Sequence, residues 1–171
     1  MGYISRPGMG VFPAIPTPVD GGGTHAWDGD LAYAADKNAT TYAFVSDKIT
    51  AGANAIAIFD LGDVYLLDTL RSKVGMWANN NYTTAVQVTV VIAASMDNIS
   101  WTTLDTFTDN TTLMNTLDAE VVDTVKVNVN DIPVRYIRYT FSVEATAGTD
   151  NEARIYELWA AGYPVTSIPV I

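Results

Sequence analysis

The stretch from Val134 to Gly162 constrains this chain most. From Val134 to Glu144 the residues alternate: Ile137, Tyr139, Phe141 and Val143 fall on one face, and Arg138, Thr140, Ser142 and Glu144 on the other. Side chains of a strand point to opposite faces in turn, so the spacing predicts a strand with one buried face. A polar turn from Ala147 to Asn151 follows. Arg154 to Gly162 is then rich in the aromatic and branched residues that suit strands. Together the two segments predict a long antiparallel hairpin at the centre of a sheet.

The remaining chain has the same texture. Asn54 to Leu61 is an apolar run, ended by Asp60-Leu61-Gly62-Asp63. Val64 to Leu70 and Lys73 to Trp77 read as strands separated by Arg71-Ser72, with Asn79-Asn80-Asn81 as a loop. Val86, Val88, Val90 and Ile92 alternate into a turn at Ser95-Met96-Asp97-Asn98, where Asn tolerates the left-handed backbone. Ser100 to Leu104 returns, residues 105–120 read as a loop, and Val125, Val127 and Val129 alternate before Pro133. Short strands joined by turns, with almost no helix, predict an all-β fold, an antiparallel β-sandwich.

Two arms flank it. Residues 1–23 carry Pro7, Pro13, Pro16 and Pro18, then Gly21-Gly22-Gly23, which predicts an extended segment rather than a core element. The sandwich is expected over 24–162. The tail 163–171 is apolar to its last residue.

Composition narrows the function. A chain of 171 residues supports one domain with its own core, and the absence of cysteine excludes disulfides and thiolate metal sites. Nine basic residues against nineteen acidic ones, a net charge of -10, argue against nucleic-acid and anionic-membrane partners, which need a positive surface. No apolar run reaches the ~18–20 residues of a membrane span, so no membrane insertion is expected. Residues 1–8 lack a signal-peptide pattern, so synthesis in a host cytoplasm is expected. The one histidine, His25, sits in a Gly-flanked loop, and no Gly-rich phosphate loop with a lysine occurs. Asp28 and Asp30 read as a solvated turn rather than an acid–base pair. A non-enzyme is expected.

The order of short motifs resembles the discoidin (coagulation factor 5/8 type C) family, with its galactose-binding-like jelly roll. The matching residues are Asp60-Leu61-Gly62 with Tyr65-Leu66 and Leu70, then Ser95-x-Asp97-Asn98-x-x-Trp101, Arg135-Tyr136-Ile137-Arg138, and Ile155-x-Glu157-Leu158-x-x-x-Gly162. They span about His25 to Gly162. The terminal cysteines of the family's animal members are absent. The resemblance implies a structural Ca2+ held by Asp36, Asn38 and Thr41 of an early loop, with Glu157 near the last strand. It also implies sugar binding, for which His25, Trp27, Trp77 and Tyr82 are the loop-adjacent candidates, whereas Trp101 and Trp159 read as core.

Two functions follow as expectations. The first is a virion structural protein of a phage or virus, a capsid decoration or tail component, joined to its own copies and other particle proteins through the apolar arms. The alternative is a carbohydrate-binding module, extracellular and directed to cell-surface or polymeric glycans.

Overall fold

The computed structural model describes residues 12–14, 17–20, 43–44, 54–79, 87–109, 119–127, 132–144 and 150–165, with side chains described for 17–19, 54–74, 89–107, 132–142 and 154–165. Among the described residues nine strands run in chain order: β1 (Phe12–Ala14), β2 (Thr17–Asp20), β3 (Ala43–Phe44), β4 (Asn54–Asn79), β5 (Gln87–Ser95), β6 (Thr102–Asp109), β7 (Ala119–Val127), β8 (Pro133–Glu144) and β9 (Asp150–Pro164). All pairings are antiparallel, and there is no α-helix among the described residues.

Strand β4 organises the sandwich. Its first half pairs with β8, from Asn54↔Ser142 to Leu66↔Pro133, and β5 and β6 follow outward from β8. Its second half lies between β7 and β9: Arg71 is opposite Lys126 on one side and Trp159 on the other. The predicted hairpin is therefore corrected, since β8 and β9 are separate neighbours of β4. Alternation specifies which face of a strand is buried, not which strand lies beside it.

Two expected breaks lie inside β4. At Asp60-Leu61-Gly62-Asp63 the ladder with β8 shifts between Asp60 and Tyr65, and Gly62 has a φ of 83°. That left-handed backbone favours glycine. The Gly62 N–H donates to Asp60 Oδ1 at 2.8 Å, and Val64 N–H to Asp63 Oδ1 at 2.7 Å, so the acids satisfy backbone donors where the ladder cannot. Arg71-Ser72 does not separate strands either. Ser72 is fully buried and hydrogen-bonds the Tyr139 hydroxyl on β8, which ties the two halves of the sandwich together.

The core lies between those halves. Ala55, Ala57 and Phe59 of early β4, Val90 and Ile92 of β5, and Ile137, Tyr139 and Phe141 of β8 meet Leu67, Leu70 and Val74 of late β4 and Ile155 and Leu158 of β9. The alternation of β8 holds: Ile137, Tyr139 and Phe141 are fully buried, and Arg138, Thr140 and Ser142 are half-buried. Phe59 meets Tyr139 edge to face, with ring centroids 6.0 Å apart, a contact of about 0.5–1.5 kcal/mol beyond its area.

Segment 1–23 is partly docked. Phe12 pairs with Gly162 of β9 and Thr17 with Asp60 of β4. Pro13 is tolerated because β1 ends the strand order, and the β2 ladder shifts after Pro18. The expected 105–120 loop is corrected at both ends, since β6 continues to Asp109 and β7 begins at Ala119; residues 110–118 lie outside the described residues.

Candidate functional site

Strand registers define the two ends of the sandwich. In the β8 half, the start of β5, the ends of β6 and β8 and the start of β4 align, through Gln87↔Glu144, Val88↔Asp109 and Asn54↔Ser142. In the other half, the end of β4 aligns with the starts of β7 and β9, through Ala78↔Ala119 and Asn79↔Asp150. Segments 80–86, 110–118 and 145–149 join the two sets. A residue spans at most about 3.6 Å, so the short connection 145–149 holds both sets at one end. The strand termini gathered there are joined by these three segments, and connections between strands are the usual place for a ligand.

Trp77 belongs there. Its backbone is opposite Glu120 of β7 and Glu152 of β9, two residues before β4 ends. Tyr82 follows within segment 80–86, outside the described residues, as are His25, Trp27, Asp36, Asn38 and Thr41. Of the expected site residues, Glu157 alone has a described side chain.

Glu157 occupies a β-bulge. Lys73 pairs with Glu157 and Val74 with Ile155, so Tyr156 and Glu157 together oppose one residue of β4. The bulge explains why Ile155 and Leu158, three apart, both reach the core. Glu157 is 1% exposed, and its Oε1 accepts from the Leu158 N–H at 3.3 Å. A buried carboxylate needs hydrogen bonds or a nearby cation. Its chemistry suits calcium, and Lys73, its register partner on β4, holds its ammonium 4.5 Å over the Tyr156 ring. Among the described residues no three His, Asp or Glu gather into a metal site.

The opposite end carries the Ser95–Trp101 turn. Asp97 Oδ1 accepts from Ile99 N–H at 2.9 Å, Ser100 N–H at 2.8 Å and Ser95 Oγ at 2.9 Å, while Ser95 Oγ accepts from Asn98 N–H at 2.9 Å. These donors hold the Asp97 carboxyl down at about 2. Asn98 takes the expected left-handed backbone, with φ 61°. A depression of about 300 Å³ lies beside the turn, bordered by Ser95, Met96, Asp97 and Ile132. Its best polar groups are already engaged by the turn, so it offers little to a ligand.

Trp101 and Trp159 are not core residues. Both are half-buried, with Arg138 4.4 Å above the Trp101 ring and Arg71 5.1 Å above that of Trp159. Arg135 lies 5.1 Å above Tyr136 and donates from Nε and Nη2 to the two Asp60 oxygens, each at 3.0 Å. That pairing lowers the Asp60 pKa and raises that of Arg135, while burial lowers that of Arg138. These stacks are not legible in the sequence beyond the spacing of Arg71 and Lys73, two apart on one strand and so on a shared face.

No family model and no curated protein sequence matches the chain. Solved structures do. A CBM32 module from a family 31 glycoside hydrolase of Clostridium perfringens aligns at a TM-score of 0.55 and 19% identity, over 86% of this chain and 91% of that one. A putative chitobiase fragment from Bacteroides thetaiotaomicron aligns at 0.54 and 18% identity, over 96% and 98%. The family 32 CBM of C. perfringens NanJ, solved with galactose, aligns at 0.50 and 17% identity, over 88% and 98%. The chain has the discoidin-like, galactose-binding-like β-sandwich seen in the two C. perfringens family 32 carbohydrate-binding modules.

Proposed function

We propose that this chain is a non-catalytic carbohydrate-binding module whose glycan site lies at the end of the sandwich bearing Trp77 and segments 80–86, 110–118 and 145–149. The observation that carries the reading is the likeness along most of the chain to CBM32 modules, one of them solved with galactose. The chemistry agrees with it. A sugar presents an apolar C–H face to an aromatic ring and hydroxyls to polar loop groups. Trp77, two residues before the end of β4, and Tyr82, in the segment that follows it, are aromatic, and Asn79, Asn80 and Asn81 between them are amides, a type that can both donate and accept.

The same likeness favours glycan binding over the virion reading. The described part of the amino-terminal segment pairs with its own sandwich, which leaves assembly through that arm without a supporting observation. A glycan array tests the proposal. The chain should bind a restricted set of sugars, galactose-containing ones among them, and Trp77→Ala should lose that binding. An array without any hit on folded protein would overturn it.

Calcium is proposed alongside, with Asp36, Asn38, Thr41 and Glu157 as ligands. It rests on the burial of the Glu157 carboxylate in a fixed bulge. When bound, the ion would balance that charge and tie an early loop to β9. An ion that binds only the folded chain raises its melting temperature by mass action. Excess calcium should therefore raise the melting temperature, and Asp36→Ala should abolish the rise. An unchanged curve on metal-free protein would count against the site.

A further inference from the structure

Apolar surface concentrates at the end of the sandwich that holds the Ser95–Trp101 turn. Three large apolar side chains are exposed among the described residues, and two of them, Met96 at 54% and Ile99 at 81%, belong to that turn. Met96 also borders the depression of about 300 Å³, together with Ala94, Ile132 and Pro133. Of its polar border, Ser95 Oγ and Asp97 Oδ1 are bonded within the turn, so a polar ligand gains little there. An aliphatic occupant gains more, because it takes apolar surface out of water without competing for those bonds. A cavity of about 150 Å³ holds benzene, so a depression of about 300 Å³ has room for about two branched side chains.

The strand registers bring one such segment to the same end. Leu66 of β4 pairs with Pro133 of β8 on one side and with Tyr163 of β9 on the other. Neighbouring strands lie about 4.8 Å apart, so Tyr163 is roughly 10 Å from the border of the depression. Residues 166–171, Thr166-Ser167-Ile168-Pro169-Val170-Ile171, follow β9 and lie outside the described residues. At about 3.3 Å per residue they can span roughly 20 Å, twice that separation. Pro169 disfavours helical backbone at Ile168, which suits an extended path. Residues 1–11 precede β1, whose Phe12 pairs with Gly162, but β1 lies beyond β9 and so one strand farther from β8.

We infer that residues 166–171 fold back across this end and seat Ile168 and Val170 in the depression, against Met96 and Ile132. In an extended chain residues two apart share a face, so both side chains can enter together. The depression is then a docking site for the chain's own segment. Its occupant covers Met96 and ties the Ser95–Trp101 turn to the start of β8. The inference concerns the end away from Trp77 and does not rest on the carbohydrate-binding reading.

Nuclear Overhauser measurements on the full chain, with its Ile, Val and Met methyl groups labelled, test the inference. Contacts are expected from Ile168 and Val170 to Met96 and Ile132. Deleting residues 166–171 should lower the melting temperature by about 2–4 °C. Met96→Asp should lower it in the full chain and leave the shortened chain unmoved, the non-additivity that direct contact produces. Absence of the methyl contacts would overturn the inference, and so would fully additive effects of the deletion and Met96→Asp. Contacts seen only between differently labelled copies would overturn it as well, by seating the segment on a second molecule. Contacts from Ile4 and Val11 in place of Ile168 and Val170 would do the same, by giving the depression to residues 1–11.

Discussion

At Gly162 an added Cβ would lie 2.8 Å from Leu67 Cα and closer still to the Leu66 carbonyl oxygen. Both are backbone atoms, so nothing flexible can yield. Gly162 pairs with Leu67 on one side and Phe12 on the other, and glycine lets the three strands approach. Gly162→Ala should cost about 1–3 kcal/mol, read from denaturant unfolding; a midpoint equal to wild type would contradict that close approach. Tyr139 is fully buried, and burial pushes its pKa up although the Ser72 hydrogen bond partly opposes this. Tyr139→Phe preserves the ring contact with Phe59 but strips Ser72 of its partner, with an expected loss of about 1–3 kcal/mol. Asp97 provides a pH signature. Its carboxyl, held at about 2 against 3.8 unperturbed, stabilises the fold fully above pH ~4 and loses that contribution as pH falls through ~2. Asp97→Asn should flatten that part of the acid-unfolding curve. An unchanged slope would show that the turn bonds do not persist in solution.

At the scale of elements, β4 decides the architecture, because one strand serves both halves. Gly62 marks its irregularity. With φ at 83° and open space within 4 Å of where a Cβ would sit, the penalty for a side chain there is conformational rather than steric. Gly62→Ala should cost about 1 kcal/mol in equilibrium unfolding, less than Gly162→Ala; the reverse order would contradict this assignment of the two glycines. In the sequence, β8 is legible because one side chain in two is apolar, and the Asp97 turn because its residue types each have a fixed task. The breaks expected in β4 at Asp60–Asp63 and at Arg71-Ser72 follow from polar residues, which usually mark the end of a run. Here the acids satisfy bulge donors and Ser72 bonds Tyr139, a partner distant in sequence. The pairing of β8 was hidden for a similar reason. Its neighbours β4 and β5 lie tens of residues upstream, and no local pattern encodes them. Trp101 and Trp159 looked like core because aromatic rings on strands usually are, whereas an arginine over each provides a polar cover.

For the whole molecule, the sandwich is a frame with two ends of different character. One end is closed by a turn whose carboxylate and hydroxyl are engaged with their own backbone. The other gathers strand termini and the connections 80–86, 110–118 and 145–149. The residues proposed to bind are legible only as residue types, because aromatics outside the strand pattern carry no periodicity and the registers that bring the Trp77 position to this end are set by distant strands. The central claim is that a glycan binds at this end. It is tested most directly by nuclear magnetic resonance titration of the isotopically labelled chain with galactose and galactose-containing oligosaccharides. The account predicts saturable shifts at Trp77 and through 80–86, 110–118 and 145–149, with the Ser95–Trp101 turn unmoved. Shifts confined to that turn, or no shifts with any of these sugars, would contradict it.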